Sequence, residues 1–340
     1  MIVIDVIIAV QAVIVLIVRR NNLLGITILL NNACNKKCKY CYENNTGEYI
    51  LTESNIDSII ERIKKIPKLD RDIEFFGGEP TLSLNVIKYA TERYPEFIYR
   101  IISNGYFLNL PEYEYSFLSK LHSITISIEG TETAFIELRN GKNLKEVLDK
   151  IINLNKKWNN LGVNISINGL LNKNIDEFIN NCNYLLSNGV GIHFYSLKGE
   201  NFFDTPTFYS FLQEVKKKDK KIYDLIILND GEKSDTEFLC SLNNRLVINP
   251  KMEIVECAWI NSKIADLSNT NEDILYSFSN GIAKNHKTLF AGCKNCEVEL
   301  GKCSISCKAF IEECLKNNKI DLLDNLCSQE KIKEYLRREQ

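Results

Sequence analysis

The sequence predicts an α/β protein, a parallel β/α barrel-like sheet followed by a smaller cysteine-rich α+β unit. Three observations carry this. From Leu23 onward, short apolar runs of strand length alternate with longer amphipathic stretches of helical period. The unusual residues fall where the apolar runs end, which is where parallel β/α folds place function. The composition then changes after the polar stretch Asn229–Thr236, with eight of the 12 cysteines between Cys240 and Cys327.

Taken in order, Leu24–Leu30 reads as the first strand and Glu53–Ile66 as the first helix. Asp72–Phe76 is a strand running into Gly77-Gly78-Glu79-Pro80, and Leu82–Tyr94 is helical. Phe97–Ser103 is a strand ending in Asn104-Gly105, then Glu112–Leu121 is helical. Ser123–Ile128 is a strand ending in Glu129-Gly130, and Leu144–Asn160 is helical. Val163–Leu170 and Gly191–Leu197 are the last two strands, with helix Ile175–Ser187 between them and helix Thr207–Lys221 after. The polar run after that helix reads as a linker. The domains expected are residues 1–22, an apolar segment; 23–228, the barrel; 229–237, the linker; and 238–340, the cysteine-rich unit with a C-terminal helix.

A length of 340 residues suits one core domain plus an appendage. With 45% hydrophobic and 25% charged residues the chain is not disordered, and a net charge of −2 excludes electrostatic nucleic-acid binding as its main business. Cysteines clustered in a chain this long point to metal or iron–sulfur binding rather than a disulfide scaffold. Met1–Val18 is apolar apart from Asp5 and Gln11 and is followed by Arg19-Arg20. It fits a short membrane anchor that keeps the rest cytoplasmic, a buried segment, or sequence upstream of the true start. All three readings stand.

Cys34, Cys38 and Cys41 form a C-x3-C-x2-C run just after the first strand. Three thiolates on one loop can hold three corners of a [4Fe–4S] cluster and leave one iron open. A zinc knuckle is the alternative, but it needs a fourth local ligand. The run, with Tyr40 before its third cysteine, resembles the signature of the radical S-adenosylmethionine enzymes. Gly77-Gly78-Glu79-Pro80 resembles that family's GGE motif, Ser103-Asn104-Gly105 its polar motif after the third strand, and Ser127-Ile-Glu129-Gly130 with Arg139 its S-x-D-G…R pattern. The resemblance implies a partial (β/α)6 barrel. It also implies that the open iron takes the methionine moiety of S-adenosylmethionine, with Tyr40 near the adenine, Glu79 on the amino group, and Ser127, Glu129 and Arg139 at the ribose and carboxylate. Glu129 stands where Asp is commoner.

The later cysteines read Cys240-x16-Cys257, then Cys293-x2-Cys296-x6-Cys303-x3-Cys307, Cys314 and Cys327. They resemble the SPASM extension, with Val247–Cys257 as its strand–turn–strand and Cys327 ahead of a Lys-rich helix. This implies two auxiliary [4Fe–4S] clusters, one on Cys240, Cys257 and Cys307, the other on Cys293, Cys296, Cys303 and Cys327. The x6 spacing departs from the family's x5, Lys251-Met252 stands where Asp-Gly is usual, and Cys314 is unassigned. A zinc-binding tail is the alternative. Cys182 reads as a core cysteine, and His122, His193 and His286 as isolated.

The resemblance implies reductive cleavage of S-adenosylmethionine to a 5′-deoxyadenosyl radical, driven by a ferredoxin- or flavodoxin-like donor. Its SPASM members mostly modify peptides or proteins. The reading is thus a cytoplasmic oxidoreductase that matures a ribosomally made peptide by crosslinking or epimerisation. Formylglycine formation on a sulfatase is the second reading, for which Asp204 and Asp230 are unassigned base candidates. A non-catalytic iron–sulfur or zinc scaffold is the third.

Overall fold

The computed structural model describes residues 24–41, 47–67, 69–167, 174–196, 204–228, 245–259, 262–274, 311 and 314–338. Strand β1 is Leu24–Leu29, helix α1 Glu53–Ile63, β2 Leu69–Phe76, α2 Leu84–Arg93 and β3 Ile98–Ser103. A short helix α3, Glu112–Tyr115, precedes β4, Ser123–Ile128. Then come α4, Glu132–Arg139; α5, Leu144–Trp158; β5, Leu161–Ser166; α6, Ile175–Ser187; and β6, Gly191–Tyr195. Helices α7, Thr205–Lys218, and α8, Lys220–Leu228, lead to β7, Arg245–Ile248, β8, Glu253–Val255, and β9, Lys263–Asp266. Helix α9 is Ile320–Arg338.

The strands form one sheet in the order β6-β5-β4-β3-β2-β1-β7-β8-β9. All pairs from β6 to β7 are parallel; β8 and β9 are antiparallel. Parallel neighbours need a crossover, and right-handed crossovers in consecutive order lay every helix on one face. Burial alternates accordingly: Ile124, Ile126 and Ile128 of β4 are fully buried against the helices, while Thr125 and Ser127 face the other way and are half-buried. The helices answer with apolar stripes, such as Ile56, Ile59, Ile60 and Ile63 of α1 behind a Thr52–Asn55 capping box.

The expected fold class holds, and several boundaries move. The strand expected at Val163–Leu170 begins earlier, at Leu161, and is paired through Ser166; residues 168–170 fall outside the described residues. Asp219 divides the helix expected at Thr207–Lys221; its backbone is extended, and its carboxylate accepts the Ile222 N–H at 3.0 Å, starting α8. Helix α4 was not foreseen, being only 8 residues long; Thr131 caps it by accepting the Ala134 N–H at 3.3 Å. Asp204, a base candidate, caps α7 through the Thr207 N–H at 2.8 Å. Cys327 lies inside α9 and not ahead of it.

Strand β7 lies beyond the expected linker yet adds to the free edge of β1. Helix α9 packs on α7 and α8, and its fully buried Lys333 donates to Ser196 Oγ at 3.1 Å beside the end of β6. The expectations for residues 1–22 and for the linker at 229–237 fall outside the described residues. Among the described residues no helix is long and apolar enough to cross a membrane.

Candidate functional site

Parallel strands all end on one edge of the sheet, and the loops that leave this edge converge. Strand β1 continues into Asn31–Cys41, β2 into Gly77–Pro80, β3 into Asn104-Gly105 and β4 into Glu129-Gly130. Gly77 and Gly78 let the second loop lie directly on the cysteine loop. A Cβ at Gly77, whose φ is +130°, would sit 2.4 Å from Asn31 O, and one at Gly78 would sit 2.2 Å from Ala33 O. Without side chains the backbones bond: the Gly78 N–H donates to Asn31 O at 3.0 Å and the Glu79 N–H to Ala33 O at 2.7 Å. Pro80 opens a tight turn over Pro80–Ser83.

The Glu79 carboxylate is fully buried and gathers the neighbouring motifs. Oε1 accepts from Ser103 Oγ at 2.8 Å, the Thr81 N–H at 2.9 Å and Thr81 Oγ1; Oε2 accepts from the Asn104 N–H at 2.7 Å. Burial raises this carboxyl above its ordinary value, and those donors oppose the rise. Asn104 then turns its amide to the cysteine loop, with Nδ2 2.9 Å from Asn35 Oδ1 and 3.4 Å from Cys34 Sγ. Lys36 Nζ donates to Asn104 O at 3.3 Å and lies over the Phe135 ring at 5.0 Å.

A second buried network holds the other side of the loop. Tyr40 Oη donates to Glu129 Oε1 at 2.6 Å, Ser166 Oγ donates to Glu129 Oε2, and Arg139 Nη1 donates to Tyr40 Oη. Arg139 reaches Glu129 Oε1 itself at 4.0 Å, and Tyr195 Oη lies 3.5 Å from Tyr40 Oη. Burial pushes Glu129, Tyr40 and Tyr195 above their ordinary values. The Lys39 N–H bonds to Leu138 O at 2.8 Å, so the end of α4 also touches the loop. Ser127 sits on the same face of β4, paired with Asn164 of β5.

The structure thus brings Cys34, Cys38 and Cys41 together with Tyr40, Gly77–Pro80, Ser103, Asn104, Glu129 and Arg139. Cys34 and Cys38 are half-buried and Cys41 is exposed. Sequence reasoning missed Lys36, Ser166 and Tyr195. The last two are the final residues of β5 and β6, and correct strand ends would have flagged them. Among the described residues no three Cys, His, Asp or Glu side chains converge on one metal-ion position. A cubane cluster spreads its thiolates over several irons, so it does not require such convergence.

The residues present fit the cofactor as well. Three buried polar atoms at the loop have no hydrogen-bond partner among the described residues: Asn31 Oδ1 at its start, Asn104 Oδ1, an acceptor near Cys34, and Arg139 Nε, a donor near Tyr40. An acceptor and a cationic donor flanking three thiols suit a ligand that carries both an amino group and an acidic or polar oxygen. Of the later cysteines, Cys257 is half-buried just after β8, and Cys314 and Cys327 are buried. Cys240, Cys293, Cys296, Cys303 and Cys307 fall outside the described residues, as do Asp230 and His286. Cys182 is fully buried in α6, where burial pushes its thiol up. His122 and His193 are exposed.

Residues 28–185 match the family model described as Radical SAM superfamily. A radical SAM cyclopropyl synthase, TigE, from Paramaledivibacter caminithermalis is 26% identical over 180 residues, covering 46% of this chain and 37% of that protein. An S-adenosylmethionine-dependent nucleotide dehydratase from Fibrobacter sp. is 32% identical over 178 residues, covering 45% of this chain and 50% of that protein. This chain spans half or less of the length of those two relatives. Among solved structures, anSMEcpe with bound AdoMet aligns over 88% of this chain and 99% of that one, with TM-score 0.61 and 17% identity. SuiB of Streptococcus suis bound to S-adenosylmethionine aligns over 86% and 74%, with TM-score 0.60 and 15% identity. At those identities the likeness is one of fold. Residues 28–185 are a radical SAM domain, which implies S-adenosylmethionine and a [4Fe–4S] cluster as cofactors.

Proposed function

We propose that this chain is a radical SAM enzyme that matures a peptide, by crosslinking or by epimerising residues. One observation carries the reading: a three-cysteine loop docked by Gly77–Glu79 at the strand ends, with an unsatisfied acceptor and an unsatisfied cationic donor beside it. Cys34, Cys38 and Cys41 are the proposed ligands of the cluster. When bound and given one electron by an external ferredoxin- or flavodoxin-like donor, the cluster and S-adenosylmethionine would supply, with release of methionine, a 5′-deoxyadenosyl radical able to take a hydrogen atom from the substrate. The chain's own part is placement. Asn104 Oδ1 would accept from the amino group of the methionine moiety, Arg139 would neutralise negative charge, and Tyr40 would wall the adenine side. Glu79 and Ser103 hold Asn104 in place, and Ser127 faces the same opening.

A peptide substrate is supported by solved structures of the same fold that hold peptides, anSMEcpe with a Cp18Cys peptide and SuiB with precursor peptide SuiA. An auxiliary-cluster unit is supported by the antiparallel β7–β8 hairpin, which leads to Cys257. In such a unit Cys240, Cys257 and Cys307 would hold one auxiliary cluster, and Cys293, Cys296, Cys303 and Cys327 the other. A second reading, a nucleotide substrate, is favoured by the higher identity to the Fibrobacter dehydratase.

The test is anaerobic co-expression with a short peptide encoded beside the gene, followed by mass spectrometry. Loss of two hydrogens means an oxidative crosslink, and an unchanged mass with deuterium gained from heavy water means epimerisation. An unmodified peptide together with turnover of an added nucleotide moves the assignment to the second reading. Cys41→Ala abolishes 5′-deoxyadenosine production; full yield from that variant overturns both readings.

A further inference from the structure

Glu129 stands apart from the other strand-end residues. It is fully buried, and each of its carboxylate oxygens is taken by a hydroxyl of this chain, Oε1 by Tyr40 and Oε2 by Ser166. The parallel register lines these groups up. Ile128 pairs with Ile165, so Glu129 and Ser166 follow side by side, and Ser166 pairs with Tyr195. Tyr40 lies between Lys39 and Cys41, so any bond to its hydroxyl restrains the loop. That hydroxyl is saturated: it donates to Glu129, accepts from Arg139, and has Tyr195 Oη at 3.5 Å.

We propose that Glu129, Ser166 and Tyr195 form a latch on Tyr40, positioning residues that fix the Cys38–Cys41 end of the loop to the ends of β4, β5 and β6. In this arrangement both Glu129 oxygens are engaged by hydroxyls of this chain, Oε1 by Tyr40 and Oε2 by Ser166. Side-chain length matters here. Aspartate, one C–C bond or about 1.5 Å shorter, cannot span Tyr40 and Ser166 together from the same strand position. The departure from the Asp commoner in the resembling pattern then has a cause: the longer acid reaches the loop.

The inference deepens the proposed function, and its first test is independent of that function. Lys37 and Lys39 are exposed on the loop. In metal-free full-length protein, trypsin cleavage at these two sites reports loop opening. Ser166→Ala, Tyr40→Phe, Glu129→Gln and Glu129→Asp each raise that cleavage roughly tenfold or more, the factor expected for a lost charge-assisted hydrogen bond. Circular dichroism checks that the fold is kept, and Ser166→Ala and Tyr40→Phe keep the test decisive should the Glu129 variants misfold. Unchanged cleavage in these two overturns the latch. In reconstituted protein without S-adenosylmethionine, the same variants shift the electron paramagnetic resonance spectrum of the reduced cluster, because the third cysteine is no longer held. An unshifted spectrum also overturns the latch. A ribose role predicts the reverse pattern: Glu129→Asp keeps the loop protected, and Glu129→Gln erases the affinity difference between S-adenosylmethionine and its 2′-deoxy analogue. Wild-type protein that takes up no cluster overturns the proposed function and leaves the protease result to decide the latch.

Discussion

At Gly78 a single methyl group is too much. Its Cβ would lie 2.2 Å from Ala33 O, a backbone atom of the cysteine loop that cannot swing aside. Gly78→Ala therefore costs about 1–3 kcal/mol of stability through overpacking. It also lowers the iron bound on reconstitution, because the displaced backbone is that of the loop carrying Cys34. Chemical denaturation and iron analysis check this; wild-type values for both would mean that the loop moves freely. The same residue scale explains which site residues could be read from sequence. Gly77, Gly78, Glu79, Ser103 and Asn104 follow strands in recognisable triplets and quartets. Glu79 is a different case, since the sequence points to a ligand-facing acid and the structure shows four donors of this chain around its carboxylate. A carboxylate's partners depend on what folds against it, which no local pattern records.

Between elements, α1 and α2 are joined by an acid and two phenols. Tyr89 Oη lies 2.9 Å from both oxygens of Asp57, and Tyr94 Oη donates to Oδ1 at 2.7 Å. The Tyr94 and Tyr89 hydroxyls hold Asp57 below its ordinary value. A depressed folded-state pKa contributes stability that is present above the unfolded value and is lost as pH falls through the folded one. Asp57→Asn therefore destabilises at neutral pH, and its difference from wild type narrows below pH about 4. Thermal melts across pH 3 to 7, a range bracketing that roughly unperturbed carboxylate value, test the sign; a difference independent of pH would refute it. Elements with strong amphipathic period, α1, α5 and α6, were legible in the sequence. Helix α4 and the break at Asp219 were not, because short helices carry too little pattern and a polar residue inside a lysine-rich run gives no sign of a double cap.

For the whole molecule, the decisive joint is β7 on β1. Arg245 at the start of β7 donates to Ile26 O at 2.7 Å, Thr27 Oγ1 at 2.9 Å and Asp72 Oδ1 at 3.1 Å, and Gly25 leaves the room it needs. Asp72 in turn binds Arg100 Nε at 2.7 Å, tying β7 to β3 across the sheet. Arg245→Ala costs about 1.5–3 kcal/mol, the range for hydrogen bonds to a charged group. Hydrogen exchange then speeds up at β7 and β8 before β4; uniform protection would show that backbone pairing alone holds them. The sequence by itself determined the parallel β/α order and the strand-end placement of the cysteine loop, because hydrophobic period and glycine-rich strand ends are local properties. Only the tertiary structure decided that β7 completes the sheet past β1, that Ser166 and Tyr195 meet Tyr40, and that Glu129 faces inward to the loop. Those are pairings between segments far apart in the chain, set by register and packing that neighbouring residues do not encode.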